Sequence, residues 1–132
     1  MIKTKVAVVR FPASVLNPIG DFLQARLRLL QKRKRSVENE DPFKDEDRLL
    51  DNASPDADAA EQFGHARTTA LGQEINRKII QTRKALTRIK IGKYAICENC
   101  GAMIDTDRLM IYPEATLCIN CEITKEKKSK NK

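Results

Sequence analysis

Cys97, Cys100, Cys118 and Cys121 are the only cysteines in the chain. They fall into two pairs, Cys97-Glu-Asn-Cys100 and Cys118-Ile-Asn-Cys121, with seventeen residues between them. A Cys-x-x-Cys spacer lets both sulfurs turn to one side of a tight turn, so each pair can supply one edge of a tetrahedron and the loop need only join the two edges. Four thiolates are a soft, closed donor set with no position left for water, which makes the site a structural zinc centre rather than a catalytic one. Two disulfides would suit a secreted chain, but the early apolar run Val6 to Val9 is too short for a signal peptide. A thioredoxin-type redox site needs one pair, not two. Gly101 directly follows the second ligand, where a residue without Cβ lets backbone N–H groups fold over the sulfurs.

The elements that must carry this centre are helical. Tryptophan is absent, aromatic residues make up 5% of the chain and charged residues 33%, a composition that suits long helices with narrow apolar seams better than a large core. No segment approaches the ~20 apolar residues of a membrane helix. With reduced cysteines, the expectation is a cytoplasmic protein that does not associate with membranes.

Residues 1–12 form a basic leader with a candidate strand at Lys5 to Arg10. A helix is expected to start at Asn17-Pro18, where an N-cap residue precedes a proline suited to the first helical position, and to reach about Val37. Leu16, Leu23, Leu30 and Val37 recur every seven residues, with Ile19 and Leu27 widening the stripe. Arg26, Arg28, Lys32, Arg33 and Arg35 occupy the other face. Asp41-Pro42 interrupts the pattern, and the stretch to Pro55 is irregular, with at most a short helical turn around Asp45 to Leu50. A second helix is expected from Ser54-Pro55 to about Ile91, with Phe63, Ala66, Ala70, Ile75, Ile79, Thr82, Leu86 and Ile89 as its seam.

The fold class read from these signals is mainly α: an antiparallel helical hairpin (coiled coil) over 13–92, with an acidic tip near 41–60, then a small four-cysteine zinc-finger module over 93–124 and a basic tail over 125–132. The seam can be satisfied within one chain or between two, the first being the simpler arrangement, so a monomer is the expectation and the oligomeric state stays open.

Charge is unevenly spread. Between Glu38 and Glu61 ten acids face two bases, giving −8, so the remainder carries +15 within a net charge of +7. Such a segment is a solvated loop or a device that presents carboxylates to a partner. His65, the only histidine, reads as an exposed helical residue rather than a metal ligand, because four sulfurs already complete the site.

Gly92-Lys-Tyr-Ala-Ile-Cys-Glu-Asn-Cys-Gly, Ile104-Asp-Thr-Asp-Arg-Leu and Pro113-Glu-Ala-Thr-Leu-Cys-Ile-Asn-Cys-Glu resemble the C-terminal zinc module of the DksA/TraR family of bacterial transcription regulators. The resemblance is close over about thirty residues and architectural upstream. It implies a non-enzymatic protein that binds RNA polymerase rather than specific DNA, and inserts its hairpin into the secondary channel to modulate initiation. Several members act together with the alarmone ppGpp. Family members carry Asp-x-x-Asp-x-Ala at the tip. Here the segment reads Asp51-Asn-Ala-Ser-Pro-Asp56-Ala-Asp58-Ala-Ala60, which keeps Asp-x-Ala at Asp58 and Ala60 but has Pro55 where the first acid would stand. Asp56, Asp58 and Ala60, with Asp51, are the tip residues the resemblance selects.

Two alternatives use the same features. A zinc-ribbon nucleic-acid binder would exploit the +15, against the lack of stacking aromatics. A Gre-like stimulator of transcript cleavage would share a metal ion between Asp56 and Asp58, although positions two apart in a helical turn point to different sides.

Overall fold

The computed structural model describes residues 11–44 and 55–131. The candidate strand at Lys5 to Arg10, the helical turn at Asp45 to Leu50 and Asp51 lie outside those residues. The elements are α1 (Ala13–Asn39), a 3-10 turn (Pro42–Lys44), α2 (Pro55–Lys90), α3 (Thr106–Ile111) and α4 (Ile119–Lys130). The mainly helical reading therefore stands. Among the described residues, extended pairing is confined to one antiparallel bridge, Ile96 with Met103. The chain divides into two units, one from Met1–Arg26 with Gln81–Lys132 and the other from Leu27–Ile80.

The start of α1 differs from the expectation. Pro12 rather than Asn17 opens the helix, its carbonyl accepting from the N–H groups of Val15 and Leu16 at 3.0 and 3.1 Å. Pro18 consequently lies inside the helix, where it forfeits the bond to the Ser14 carbonyl. Leu16 and Ile19, on either side of it, pack onto the zinc-module core. That burial offsets the lost bond and carries the helix through.

In the unit formed by residues 27–80, Leu27, Leu30 and Val37 of α1 pack with Leu71, Ile75 and Ile79 of α2. Lys34 donates from Nζ to Asn76 Oδ1 at 3.4 Å and Asp41 meets His65, so the two helical segments run in opposite directions. The α1 stripe is as expected. The first half of the α2 seam is not: Phe63, Ala66 and Ala70 are exposed, and Phe63 reaches 73%. What α2 meets there is the turn after α1, and the residues that fit it are Gly64 and His65. A Cβ on Gly64 would lie 2.9 Å from Pro42 Cγ. His65 Nδ1 sits 2.9 and 3.0 Å from the two carboxylate oxygens of Asp41, and its ring stacks on Phe43 with centroids 4.2 Å apart. His65 is thus a half-buried clamp on the turn, not the free surface residue its isolation in sequence suggested.

The other unit is built around the cysteine loop. Tyr94, Ala95, Cys97, Ile104, Leu109, Ala115 and Leu117 form its core, against which Phe11, Leu16, Ile19 and Ile89 pack. Gly92, at φ +74°, turns the chain out of α2.

Candidate metal centre and acidic helix start

The first knuckle is a tight turn. Cys97 donates its N–H to the Ala102 carbonyl at 2.8 Å, and Gly101 donates back to the Cys97 carbonyl at 3.0 Å. Gly101 adopts φ +74°, a backbone state that residues with a Cβ rarely enter. The second pair has a different setting. Cys118 stands at the N-cap of α4 and Cys121 lies in its first turn, so the positive end of the helix dipole faces the thiolates. The intervening loop is held by α3, whose N-cap Asp105 accepts from the Asp107 N–H at 3.0 Å, and by Leu109, which enters the core. Glu98 N–H donates to the Thr116 carbonyl at 2.9 Å and ties the two halves together.

All four sulfurs lie within 4.8 Å of one another, and Cys100 Sγ is 3.7 Å from Cys118 Sγ. A tetrahedron with Zn–S bonds of ~2.3 Å has edges of about 3.8 Å, so the spacing fits a zinc site of four thiolates. Burial works against the Cys97 thiolate, yet backbone groups of Cys100, Cys118 and Asn99 and the Cys100 side chain outweigh it and hold the thiol down at about 6. The Asn99 amide donates to Cys121 Sγ at 3.3 Å and favours its thiolate. Neighbouring Cys118, burial, Cys97 and Cys100 act the other way and push Cys121 up to about 12. Four anions this close need a cation among them, and a bound Zn²⁺ supplies that charge.

Glu114 is a buried residue that sequence reasoning did not single out. Its Oε1 is 2.7 Å from Arg26 Nε of α1, with the Glu114 side chain 3% exposed and that of Arg26 42%. Neither carboxylate oxygen has an aligned hydrogen-bond donor; the contact is short but off the donor direction, and acts as an ion pair. The Glu114 carbonyl accepts from Gln81 Nε2 of α2 at 2.7 Å, and the same amide reaches Thr116 Oγ1 at 3.1 Å. One residue of the loop therefore fastens both helices to the zinc module within this unit. Tyr94 adds a 2.9 Å hydrogen bond to the Pro113 carbonyl. Burial, and then the charge of Glu114, push its phenol up to about 12.

Asp56 and Asp58 occupy the first turn of α2, and both are exposed, as is Ala60. At 100° per residue the two carboxylates project about 200° apart around the helix. Asp51 lies outside the described residues.

Residues 92–127 match the prokaryotic DksA/TraR C4-type zinc finger. Over those residues the chain is similar to the zinc finger of that family. Its similarity to transcription factor DksA2 from Pseudomonas aeruginosa extends over 87% of this chain and 85% of that one, at a TM-score of 0.66 and 27% identity. No curated protein matches the sequence. The DksA-like module holds a structural zinc ion on Cys97, Cys100, Cys118 and Cys121, and the mainly helical fold is that of DksA.

Proposed function

We propose that this chain is a non-enzymatic transcription regulator that binds RNA polymerase and carries the acids at the start of α2 into the secondary channel, modulating initiation. The observation that carries the reading is the joint presence of a DksA/TraR zinc finger and a likeness to transcription factor DksA2 over 87% of the chain. The acidic segment gives it a mechanism. Exposed carboxylates beside a helix N-terminus form a stable concentration of negative charge, and in a narrow, partly desolvated channel such charge acts strongly on nearby cations and phosphates. Asp56, Asp58 and Ala60, with Asp51, are the groups assigned to this task. The opposed directions of Asp56 and Asp58 disfavour their sharing one metal ion, which supports regulation over transcript cleavage. Action on polymerase would place the protein in the cytoplasm.

The test is binding of the zinc-loaded protein to core RNA polymerase at ~0.15 M salt, where loose charge contacts are screened, in competition with a secondary-channel factor and with and without ppGpp. Competition is the expected result. Asp56→Asn with Asp58→Asn should keep binding and abolish the effect on initiation; loss of binding would make these acids anchors. Absence of polymerase binding together with retained affinity for DNA or RNA would overturn the proposal in favour of a zinc-ribbon nucleic-acid binder.

A further inference from the structure

Arg28, Lys32 and Arg35 follow one another at i, i+4 and i+7 along α1, away from the seam residues Leu27, Leu30 and Val37, and all three are exposed with Arg33 beside them. No acid interrupts the helix between Asp21 and Glu38. Four bases outside this face meet acids, Arg26 with Glu114, Lys78 with Glu74, Lys84 with Glu98 and Arg108 with Glu122. Arg28, Lys32, Arg33 and Arg35 make no ion pair or hydrogen bond with any described residue. Like charges one turn apart destabilise a helix, and a face needed only for solubility would serve better with mixed signs. Leu29 adds a second observation. It is 67% exposed, with Lys32 and Arg33 lying one turn further on. An apolar side chain rimmed by cations has the make-up of a protein contact, where an apolar anchor is shielded by a charged margin. A face for single-stranded nucleic acid would offer aromatic rings for stacking, and residues 27–39 contain none.

We infer that this face of α1 is a docking surface for an acidic protein surface that seats an apolar residue on Leu29. The inference rests on the polymerase reading and assigns that acidic surface to the polymerase. The two charged parts of the chain then have separate work: the cations attract and orient the protein on its partner, and the acids act in the channel.

Arg28→Gln/Lys32→Gln/Arg35→Gln and, separately, Leu29→Ala test it in the full zinc-loaded chain. All four positions are exposed on a helix, and Gln and Ala are good helix formers, so the variants keep the fold, which circular dichroism checks. The triple variant should bind core RNA polymerase about tenfold more weakly at ~0.15 M salt, with a shallower salt dependence and an unchanged effect on initiation at saturation. Leu29→Ala should weaken binding about fivefold with the salt dependence unaltered. A triple variant that binds like the wild type overturns the inference and leaves the polymerase reading standing. Wild-type protein that does not bind polymerase at all removes both. A loss of duplex DNA affinity in the triple variant, with polymerase binding intact and Leu29→Ala silent, makes the face a phosphate contact and overturns the inference. So does sedimentation that reveals a dimer abolished by the triple variant, since the occupant is then a second copy.

Discussion

Removing Arg26 should cost far more than losing an ordinary surface charge, because of what it leaves behind. The Glu114 side chain is 3% exposed and Arg26 Nε lies 2.7 Å from its Oε1. With Arg26→Met the carboxylate stays buried without its counter-charge, a situation that costs ~3–5 kcal/mol when both partners are fully enclosed. The Arg26 side chain is 42% exposed, so water can reach part of the vacated space, and the figure falls to about 2 kcal/mol. With a urea slope of ~1–3 kcal/mol/M, the unfolding midpoint should drop by roughly 1 M. Glu114→Gln removes the charge itself, and in that background Arg26→Met should cost less than ~0.5 kcal/mol. The assay is urea unfolding followed by circular dichroism for the four corners of the cycle, at one fixed excess of zinc because ligand binding shifts apparent stability. A midpoint shift below ~0.2 M for Arg26→Met, or the same shift in both backgrounds, refutes the argument.

Cys97→Ser should eliminate the bound zinc and unfold the cysteine loop, because structural zinc contributes ~10–16 kcal/mol in small modules; zinc stoichiometry by a chelator dye and thermal melting measure it, and one retained zinc with unchanged melting counts against it. Tyr94, with its phenol raised to about 12, keeps its proton in the fold where the unfolded chain, at ~10, releases it. Its contribution is therefore complete below about pH 10 and lost as pH rises from about 10 to about 12, so Tyr94→Phe should flatten the alkaline fall in stability across that window while costing about 1 kcal/mol at neutral pH for the lost hydrogen bond to Pro113. Gly72→Ala, where an added Cβ meets nothing within 4 Å, should stabilise α2 by ~0.5–1 kcal/mol. Gly64→Ala, with Pro42 Cγ at 2.9 Å, should destabilise the protein by about 1 kcal/mol net, and equal gains at the two positions would disprove the clamp on the turn.

Sequence reasoning succeeded where one local pattern determines the outcome. The heptad of Leu16, Leu23, Leu30 and Val37 marks the buried face of α1 because a helix repeats its facing residues on that period. Cysteine spacing found the metal centre for a similar reason. It failed where two signals compete or where the partner is remote in sequence. Pro12 and Pro18 both offer a helix start, and only the packing of Leu16 and Ile19 on the zinc-module core decides for the earlier one. Phe63 is the more hydrophobic choice for a seam than Gly64, but the turn at Pro42 leaves room only for a residue without a side chain. Glu114 gave no local sign of its role, since its meaning depends on Arg26 and Gln81, which lie 88 and 33 residues away in the chain.

The core that surrounds Tyr94 and Leu109 takes Phe11, Leu16 and Ile19 from the opposite end of the sequence. On the ribosome those three side chains emerge before the rest of that core and must wait for their neighbours: about seventy-five residues separate Ile19 from Tyr94, an interval of ~4–15 s at ~5–20 residues per second. The pairing of Val37 with Ile75 and Ile79 can form well before then. Zinc capture, which needs Cys118 and Cys121, comes later still. A shortage of zinc would therefore leave Leu16, Ile19 and Tyr94 without a finished core in newly made chains, and proteolytic clearance of those chains would tie the abundance of this protein to the cell's zinc supply.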